Sequence, residues 1–389
     1  MEMRKAGNPK LPSHFYTWCE PRDNSGEESL HFASERRRIK IKGRSFQEFL
    51  QYVLPLLDGS HNVAEIQHAV SDLFSEIDIE HCLELLASQN LLQHEDDEIE
   101  LYSPLGQSLA PQLNFFHEIG TNPKQSQNRL ANSTVSVIGL SGAGAQVALS
   151  LAAAGVGCVR CVDSSAITVG DTYLAPTFLP SDIGAMRAQV LAERIRACTP
   201  TANIIVRDQE MANDSDVLSA IAGSDFVVNC LDRGQVSLAY KLNRACLKGG
   251  TRWTSGALSG TEIVLGPTVH PFESPCYLCY KMRAVACAGN PEDEFAYERF
   301  LDQRKQDDSG RRENIIFGSL LLSSWLGLEA FKELTEVSES CAIGSILVFD
   351  LLNMESTKHV VLRKPWCPAC FKDRDGAKQQ SQSDFQRDA

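Results

Sequence analysis

The sequence predicts an α/β protein in which a doubly wound parallel sheet follows a small α+β domain. Three observations carry this prediction. Apolar strands alternate with amphipathic helices between residues 133 and 266, and a glycine-rich turn joins the first of these strands to an alanine-rich helix. The chain of 389 residues is also about two to three times the usual domain length, so a large core plus a smaller domain is expected.

The N-terminal part divides into an arm and a small domain. Residues 1–27 are polar and punctuated by proline and glycine, which predicts a flexible arm. Residues 28–105 carry two short strands in LHFASERRRIKIKG, then helices in SFQEFLQYVLPLLDGS, NVAEIQHAVSDLF and DIEHCLELLASQNLL. This order predicts a winged-helix-like α+β domain, although a dimerisation or packing domain has the same pattern.

Residues 106–372 carry the large domain. After a connector, STVSVIGLSGAGAQVALSLAAAGVGCVRCVD gives strand, glycine turn, helix and strand, and NIIVRD, DFVVNC and EIVLG give further strands. The alternation predicts a Rossmann-like doubly wound sheet. Charged residues crowd a crossover segment, residues 287–314, which predicts a mobile excursion or a lid, and polar residues 373–389 predict a disordered tail.

The glycine turn and a later aspartate predict a nucleotide site. Gly139, Gly142 and Gly144 lie where missing side chains let backbone N–H groups and the helix dipole approach a phosphate. Glycines here also permit close packing of a helix on a sheet. Asp163 ends the next strand, about 20 residues on, where a carboxylate can bind a ribose.

Two further residues are candidates for catalysis. Asp232 follows the strand in DFVVNC, where a carboxylate can hold Mg²⁺ against a triphosphate; the alternative is a helix N-cap. Arg187 lies on the helix after the second strand and can reach a phosphate, although a surface arginine is the commoner explanation.

Four of the thirteen cysteines have metal-ligand spacing. The pairs Cys276–Cys279 and Cys367–Cys370 each present two thiolates at the separation that tetrahedral zinc needs. Protein ligands would fill all four positions, so the predicted zinc is structural rather than catalytic.

The net charge and the lack of long apolar stretches limit which kinds of partner the protein is expected to bind. A formal charge of −13 argues against a general nucleic-acid binder, because such proteins use basic surfaces to displace phosphate counterions. The sequence contains neither a signal peptide nor an apolar stretch of membrane-spanning length. A cytoplasmic protein that binds no membrane is expected, with its cysteines reduced.

These motifs carry a family resemblance. From about residue 110 to residue 372 the chain resembles the ThiF-like, ubiquitin-activating-enzyme-like superfamily, which combines the glycine turn, the two aspartates and the two cysteine pairs around a crossover segment. The N-terminal domain resembles the precursor-peptide recognition domain of enzymes that modify ribosomally made peptides, including microcin C-type and pantocin-type enzymes. FLPSDIGAMRAQVLAERIR and HVVLRKPWCPAC are similar to ThiF-like components of azoline cyclodehydratases. The resemblance implies ATP, Mg²⁺, zinc, a precursor peptide and a homodimer.

Several positions depart from the superfamily pattern. Ser141 replaces a glycine of the turn, and Asp171, Leu174 and Ala175 replace an asparagine, an arginine and a glutamine. Arg187 stands where the family has a lysine. The leucine matters most, because it cannot stabilise charge on the phosphates as an arginine would.

Two functions therefore stay open. In the first, the chain binds the precursor peptide by its leader and uses ATP to activate a core carboxylate or amide for dehydrative cyclisation. In the second, it is a nucleotide-silent scaffold that delivers the peptide to a YcaO-type cyclodehydratase. An NAD-dependent oxidoreductase fits poorly, because the third glycine has the wrong spacing for the dinucleotide fingerprint.

A leader site is predicted on one strand. Arg38, Ile39, Lys40 and Ile41 alternate as in an exposed strand, and a leader peptide can add a strand to such an edge. The basic residues favour an acidic leader. The alternative is an edge that charge merely protects from aggregation.

Overall fold

A computed structural model describes residues 8–22, 24, 26–93, 104–231, 235–303 and 313–371. The chain divides into two compact units, Met1–Arg129 and Leu130–Ala389. Among the helices of the described ranges, none combines the length and apolarity that crossing a membrane requires.

The first unit opens with an antiparallel sheet in the order β1–β2–β3. Its strands are β1 (Tyr16–Glu20), β2 (Glu28–Ala33) and β3 (Arg38–Gly43). The two strands predicted in LHFASERRRIKIKG are confirmed as β2 and β3. The expected arm is wrong at Tyr16–Glu20, which pairs with β2 along its whole length. Aromatic and β-branched residues in YTWCE favour this strand, and the polar residues around it hide that signal.

Short helices follow the sheet. They are α1 (Phe46–Glu48) with a π turn (Phe49–Val53) and a 3₁₀ turn (Leu54–Leu56), α2 (Val63–Ala69), α3 (Glu76–Ser88), α4 (Pro104–Glu118) and α5 (Pro123–Ala131). Pro55 lacks an N–H donor, and the first helical run tightens and ends around it. Capping boxes at Asn62 and Ser75 fix the starts of α2 and α3.

Arg37 ties the β2–β3 turn to two helices. Its Nε donates to Glu118 Oε2 at 3.1 Å, and its Nη1 donates to the Gln89 carbonyl at 3.0 Å. His14 Nε2 lies 2.9 Å from the other Glu118 oxygen. Burial opposes ionisation of Glu118, but hydrogen bonds from His14 and Arg37 outweigh it and lower the pKa of this carboxyl. Arg37 therefore belongs to the framework of the unit.

The second unit contains an eight-stranded mixed sheet in the order β11–β10–β9–β8–β7–β4–β5–β6. Its strands are β4 (Thr134–Ile138), β5 (Cys158–Val162), β6 (Asn203–Arg207), β7 (Phe226–Asn229), β8 (Arg252–Ser259), β9 (Glu262–Leu265), β10 (Ser345–Asp350) and β11 (Glu355–Val360). Strands β6, β5, β4, β7 and β8 are parallel, and β9 to β11 continue antiparallel. The predicted Rossmann-like sheet is confirmed, with an antiparallel extension.

Helices connect and cover these strands. They are α6 (Ala143–Ala153), α7 (Val169–Leu174), α8 (Arg187–Cys198), α9 (Asp214–Ile221), α10 (Val236–Gly249), α11 (Tyr277–Ala286), α12 (Pro291–Gln303) and α13 (Ile316–Thr335), with a 3₁₀ turn at Pro180–Asp182. After β6 the chain returns to the other side of β4 to form β7. Strand order therefore reverses between β4 and β7, where open α/β sheets bind ligands beyond the strand ends.

Helix α12 (Pro291–Gln303) lies in the crossover segment, residues 287–314, for which a mobile excursion or a lid is predicted. Both carboxylate oxygens of Asp302 accept the Ser237 N–H at the start of α10, at 3.0 and 3.1 Å. Glu298 is buried and lies 2.5 Å from Lys281 Nζ. These contacts pair two of the charged side chains of the segment with polar partners. Residues 304–312 and the predicted tail, 373–389, lie outside the described ranges.

Candidate functional site

A cavity of about 940 Å³ opens at the carboxyl ends of β4, β5 and β7. Its lining includes Gly139 after β4, Asp163 after β5 and Cys230 after β7. The volume falls within the range of small-molecule sites, and the position is the switch point of the sheet. The cavity is therefore the candidate nucleotide site of the second unit.

The three predicted glycines have different roles. A Cβ on Gly144 would lie 1.8 Å from the Gly139 carbonyl oxygen, so this glycine lets helix α6 approach the sheet. Gly144 is absent from the cavity lining, whereas Gly139 and Gly142 are part of it. Gly142 has a φ of 49° and begins α6 without a side-chain cap. The anion-binding role predicted for this turn therefore falls to Gly139 and Gly142.

Asp163 is held at the end of β5 by backbone donors. Leu140 N–H donates to its Oδ2 at 2.7 Å, and Ser165 N–H donates to its Oδ1 at 2.8 Å. The carboxylate is 7% exposed and borders the cavity. Oδ2 also accepts from Arg187 Nη1 at 3.4 Å, whereas Oδ1 has a second lone pair with which Asp163 can accept a ribose hydroxyl.

Arg187 lines the cavity, but two carboxylates already hold its guanidinium. Its Nε and Nη2 donate to Asp171 Oδ2 at 3.0 and 2.7 Å, and its Nη1 lies 3.4 Å from Asp163 Oδ2. Burial opposes ionisation of Asp171, but the Arg187 charge and the Thr168 hydrogen bonds keep its pKa below the ordinary value. Arg187 is a buried, paired cation and not the surface arginine of the alternative interpretation.

The cavity contains a leucine beside the glycine turn. Leu174 lines the cavity at 5% exposure, and its Cβ lies 3.4 Å from the point where a Cβ on Gly142 would stand. The family resemblance of the sequence implies an arginine at this position. A substituent there would lie directly beside an anion bound at the glycine turn.

Sequence reasoning missed several charged residues of the cavity. Helix α12 supplies Asp302, α10 supplies Lys241, and Glu210 and Glu313 come from segments between elements. The apolar spacing of EFAYERFL indicates an amphipathic helix and was the available signal for α12. Predicted Asp232 lies outside the described residues, although Leu231 and Gln235 on either side line the cavity.

The four predicted metal ligands meet in one buried cluster. Sγ of Cys276 lies 3.9 Å from Sγ of Cys279 and 3.8 Å from Sγ of Cys367, and Cys279 lies 3.6 Å from Cys370. Zn–S bonds of about 2.3 Å in a tetrahedron place sulfurs about 3.8 Å apart, whereas a disulfide needs about 2.05 Å. The spacing fits a tetrahedral metal ion.

Cys279 accepts hydrogen bonds within the cluster. The Cys276 and Cys370 thiols donate to its sulfur and lower its pKa, and the Lys364 N–H adds a bond at 3.4 Å. A thiolate is the form that binds metal.

The predicted leader strand lies at a sheet edge. Strand β3 follows β2 at the end of the order β1–β2–β3. Arg38 and Lys40 are exposed, whereas Ile39 and Ile41 pack against the core of the first unit. Lys40 Nζ lies 3.0 Å from Glu20 Oε2 on the outer face of the sheet. Strand β3 therefore carries basic side chains on its exposed face and apolar side chains on the face that packs against the core.

Comparison with known proteins identifies the second unit. The model of the family described as ThiF matches residues 109–369. The sulfur carrier protein adenylyltransferase of Thermus thermophilus is 26% identical over 252 residues, which are 63% of this chain and 85% of that protein. The Escherichia coli sulfur carrier protein ThiS adenylyltransferase is 23% identical over 245 residues, with shares of 63% and 88%.

Solved structures extend the likeness of fold over both units. A crystal structure of E. coli MccB with ATP has a TM-score of 0.68 at 15% identity and covers 93% of this chain and 99% of that one. MccB with N-formylated MccA gives a TM-score of 0.69 at 15% identity, with the same shares. A crystal structure of PaaA has a TM-score of 0.65 at 15% identity and covers 90% of this chain and 99% of that one.

Proposed function

This chain belongs to the ThiF family, and from that premise we propose that it uses ATP to adenylate a carboxylate or amide of a ribosomally made precursor peptide. One observation carries the proposal: Asp163 faces a cavity of about 940 Å³ that also contains the Gly142 turn. A ribose binder and an anion binder thus share one site. The relatives named as adenylyltransferases support the use of ATP.

The proposed chemistry proceeds in two steps. A peptide oxygen attacks the α-phosphorus of ATP, the bond to the pyrophosphate oxygen breaks, and pyrophosphate leaves. A neighbouring nucleophile of the peptide then attacks the activated carbon and expels AMP, with overall loss of water. Asp232 would hold Mg²⁺, which offsets charge on the phosphates. Leu231 and Gln235 flank this residue at the cavity, which supports that role.

The precursor peptide would bind through its leader at β3. An added strand would take main-chain hydrogen bonds along the edge, and Arg38 and Lys40 would attract carboxylates of the leader. The MccB structures that contain MccA support a precursor peptide as the partner. We further propose that the chain forms a homodimer and acts in the cytoplasm.

Zinc in the four-cysteine cluster would be structural. All four ligands come from protein, so no open position remains for a water or a substrate. The site would staple the start of α11 to the chain after β11.

A second function has its own supporting observation. Arg187 is already paired with Asp163 and Asp171, and Leu174 occupies the arginine position. Among the described lining residues Lys241 is the remaining cation, and it donates to the Ala212 carbonyl at 2.6 Å. Such a cavity suits a nucleotide-silent scaffold that delivers the peptide to a YcaO-type cyclodehydratase. The first function stays ahead because Asp163 and the Gly142 turn are intact.

One experiment separates the two. The full chain is incubated with Mg²⁺, ATP and the peptide encoded beside its gene, with pyrophosphate release and peptide mass as readouts. Peptide-dependent pyrophosphate release is expected; Asp232→Ala should abolish it, and Asp163→Asn should weaken the affinity for ATP. Leader binding without ATP consumption, and modification only after a YcaO-type protein is added, would favour the scaffold.

A further inference from the structure

Ser319 carries an unpaired hydroxyl in the wall of the cavity. The residue belongs to α13, is 1% exposed, and its Oγ has no hydrogen-bond partner among the described residues. Ser323 and Ser324 of the same helix both donate to the Leu320 carbonyl, at 2.7 and 3.0 Å. A helical serine usually finds such a partner, and a buried hydroxyl without one is costly. The hydroxyl of Ser319 therefore has a hydrogen bond left to make.

The hydroxyl faces the start of helix α6. Its Oγ lies 2.9 Å from the point where a Cβ on Gly142 would stand, and both residues line the cavity. Helix α6 has eleven residues and no side-chain cap at Gly142. Its N-terminal N–H groups and its dipole favour a negative charge at this place. Two independent features, an uncapped helix start and a buried donor, thus converge.

We propose that the Ser319 hydroxyl binds the phosphate chain of the nucleotide, donating a hydrogen bond to a non-bridging oxygen at the Gly142 turn. This inference rests on the proposed function and adds a specificity-determining residue from α13. A phosphate oxygen suits the place because it is anionic and accepts hydrogen bonds only, whereas Asp163 suits a ribose hydroxyl, a donor.

A packing role for the small side chain gives a different expectation. Gly318 already provides the close approach of α13, since a Cβ there would lie 3.1 Å from Leu258 and from Leu351. If Ser319 only filled space, alanine would serve equally well. A donor role instead predicts that alanine leaves the fold intact and weakens phosphate binding.

The test compares Ser319→Ala with Ser323→Ala in the full chain. Ser323 is a matched control, because its hydroxyl is buried on the same helix and bonded to a carbonyl. Calorimetry with Mg²⁺ measures ATP, AMP and adenosine. We expect Ser319→Ala to bind ATP about tenfold more weakly, with adenosine affinity and melting temperature retained or raised. Ser323→Ala should match the wild type for all three ligands.

The outcomes separate this inference from the proposed function. Unchanged ATP affinity in Ser319→Ala, or equal losses for ATP and adenosine, overturns the role of Ser319 alone. A folded wild type that binds no ATP overturns both. Loss confined to the ligands with phosphate supports the assignment.

Discussion

Arg187 places two of its nitrogens on one oxygen of Asp171, with Nε at 3.0 Å and Nη2 at 2.7 Å. Asp171 is completely buried, and Asp163 stands on the other side of the guanidinium. One cation is thus shared by two carboxylates. The charge available to a triphosphate in this part of the cavity is therefore smaller than the sequence suggests.

Asp171→Asn should release Arg187 toward the cavity. We expect the free energy of unfolding at pH 7 to fall by about 2–3 kcal/mol, less than for a fully broken buried pair because Asp163 remains. ATP affinity should rise several-fold, since one negative charge is lost beside the site. Denaturant titration and calorimetry measure the two effects; weaker ATP binding would show that the pair positions Asp163 rather than withholding a cation.

The same pair predicts a pH dependence. The folded-state pKa of Asp171 lies below the ordinary value of 3.8, because the Arg187 charge outweighs the burial of the carboxyl. Its stabilisation is therefore complete above that value and is lost as pH falls through the lower folded pKa. The stability difference between wild type and Asp171→Asn should shrink steadily from pH 4 downward. A difference that stays constant from pH 7 to pH 2 contradicts the ion pair.

Asp163→Asn should impair recognition of the ribose. The amide keeps one acceptor and replaces the other with a donor, so it meets the Leu140 or Ser165 N–H unfavourably. We expect ATP and adenosine to bind about tenfold more weakly alike. Calorimetry on Asp208→Asn, a half-buried residue just after β6 that does not line the cavity, supplies the control and should match the wild type.

Cys276→Ser and Cys367→Ser should lose zinc. Elemental analysis of the wild type should give about one ion per chain. The variants should be metal-free and should melt at lower temperature or be insoluble, because zinc binding contributes to folding. Cys198→Ser, an exposed cysteine outside the cluster, should keep the metal. A wild type that is folded and active without metal would rule out a structural zinc.

Charge reversal on β3 should weaken leader binding. Arg38→Glu combined with Lys40→Glu places negative charges along the edge, so an acidic leader is repelled. Fluorescence polarisation with a labelled leader should show at least about a tenfold loss. Lys124→Glu, a charge reversal at a half-buried position on α5, serves as the control. Equal affinity for all three proteins would place the leader elsewhere.

The sequence predicted those parts of the site that lie close to a recognisable strand or turn. Gly142 and Asp163 follow apolar strands, and the parallel order of β4 and β5 brings their ends together. Asp302 and Ser319 come from helices that follow much later in the chain, so no short-range pattern joins them to the cavity. The pairing of Arg187 was equally hidden, since charge alone does not reveal which carboxylate it meets.

The sequence separation within the four-cysteine cluster determines when the cluster can form during synthesis. Cys276 contacts Cys367, 91 residues later, and Cys279 contacts Cys370 across the same separation. Helices α12 and α13 and the hairpin β10–β11 lie within that span. A ribosome must release the end of this span before the cluster can assemble, and closing so long a loop is entropically costly. The second unit therefore matures only after translation has passed residue 370, and its folding yield in cells should depend on the metal supply at that late moment.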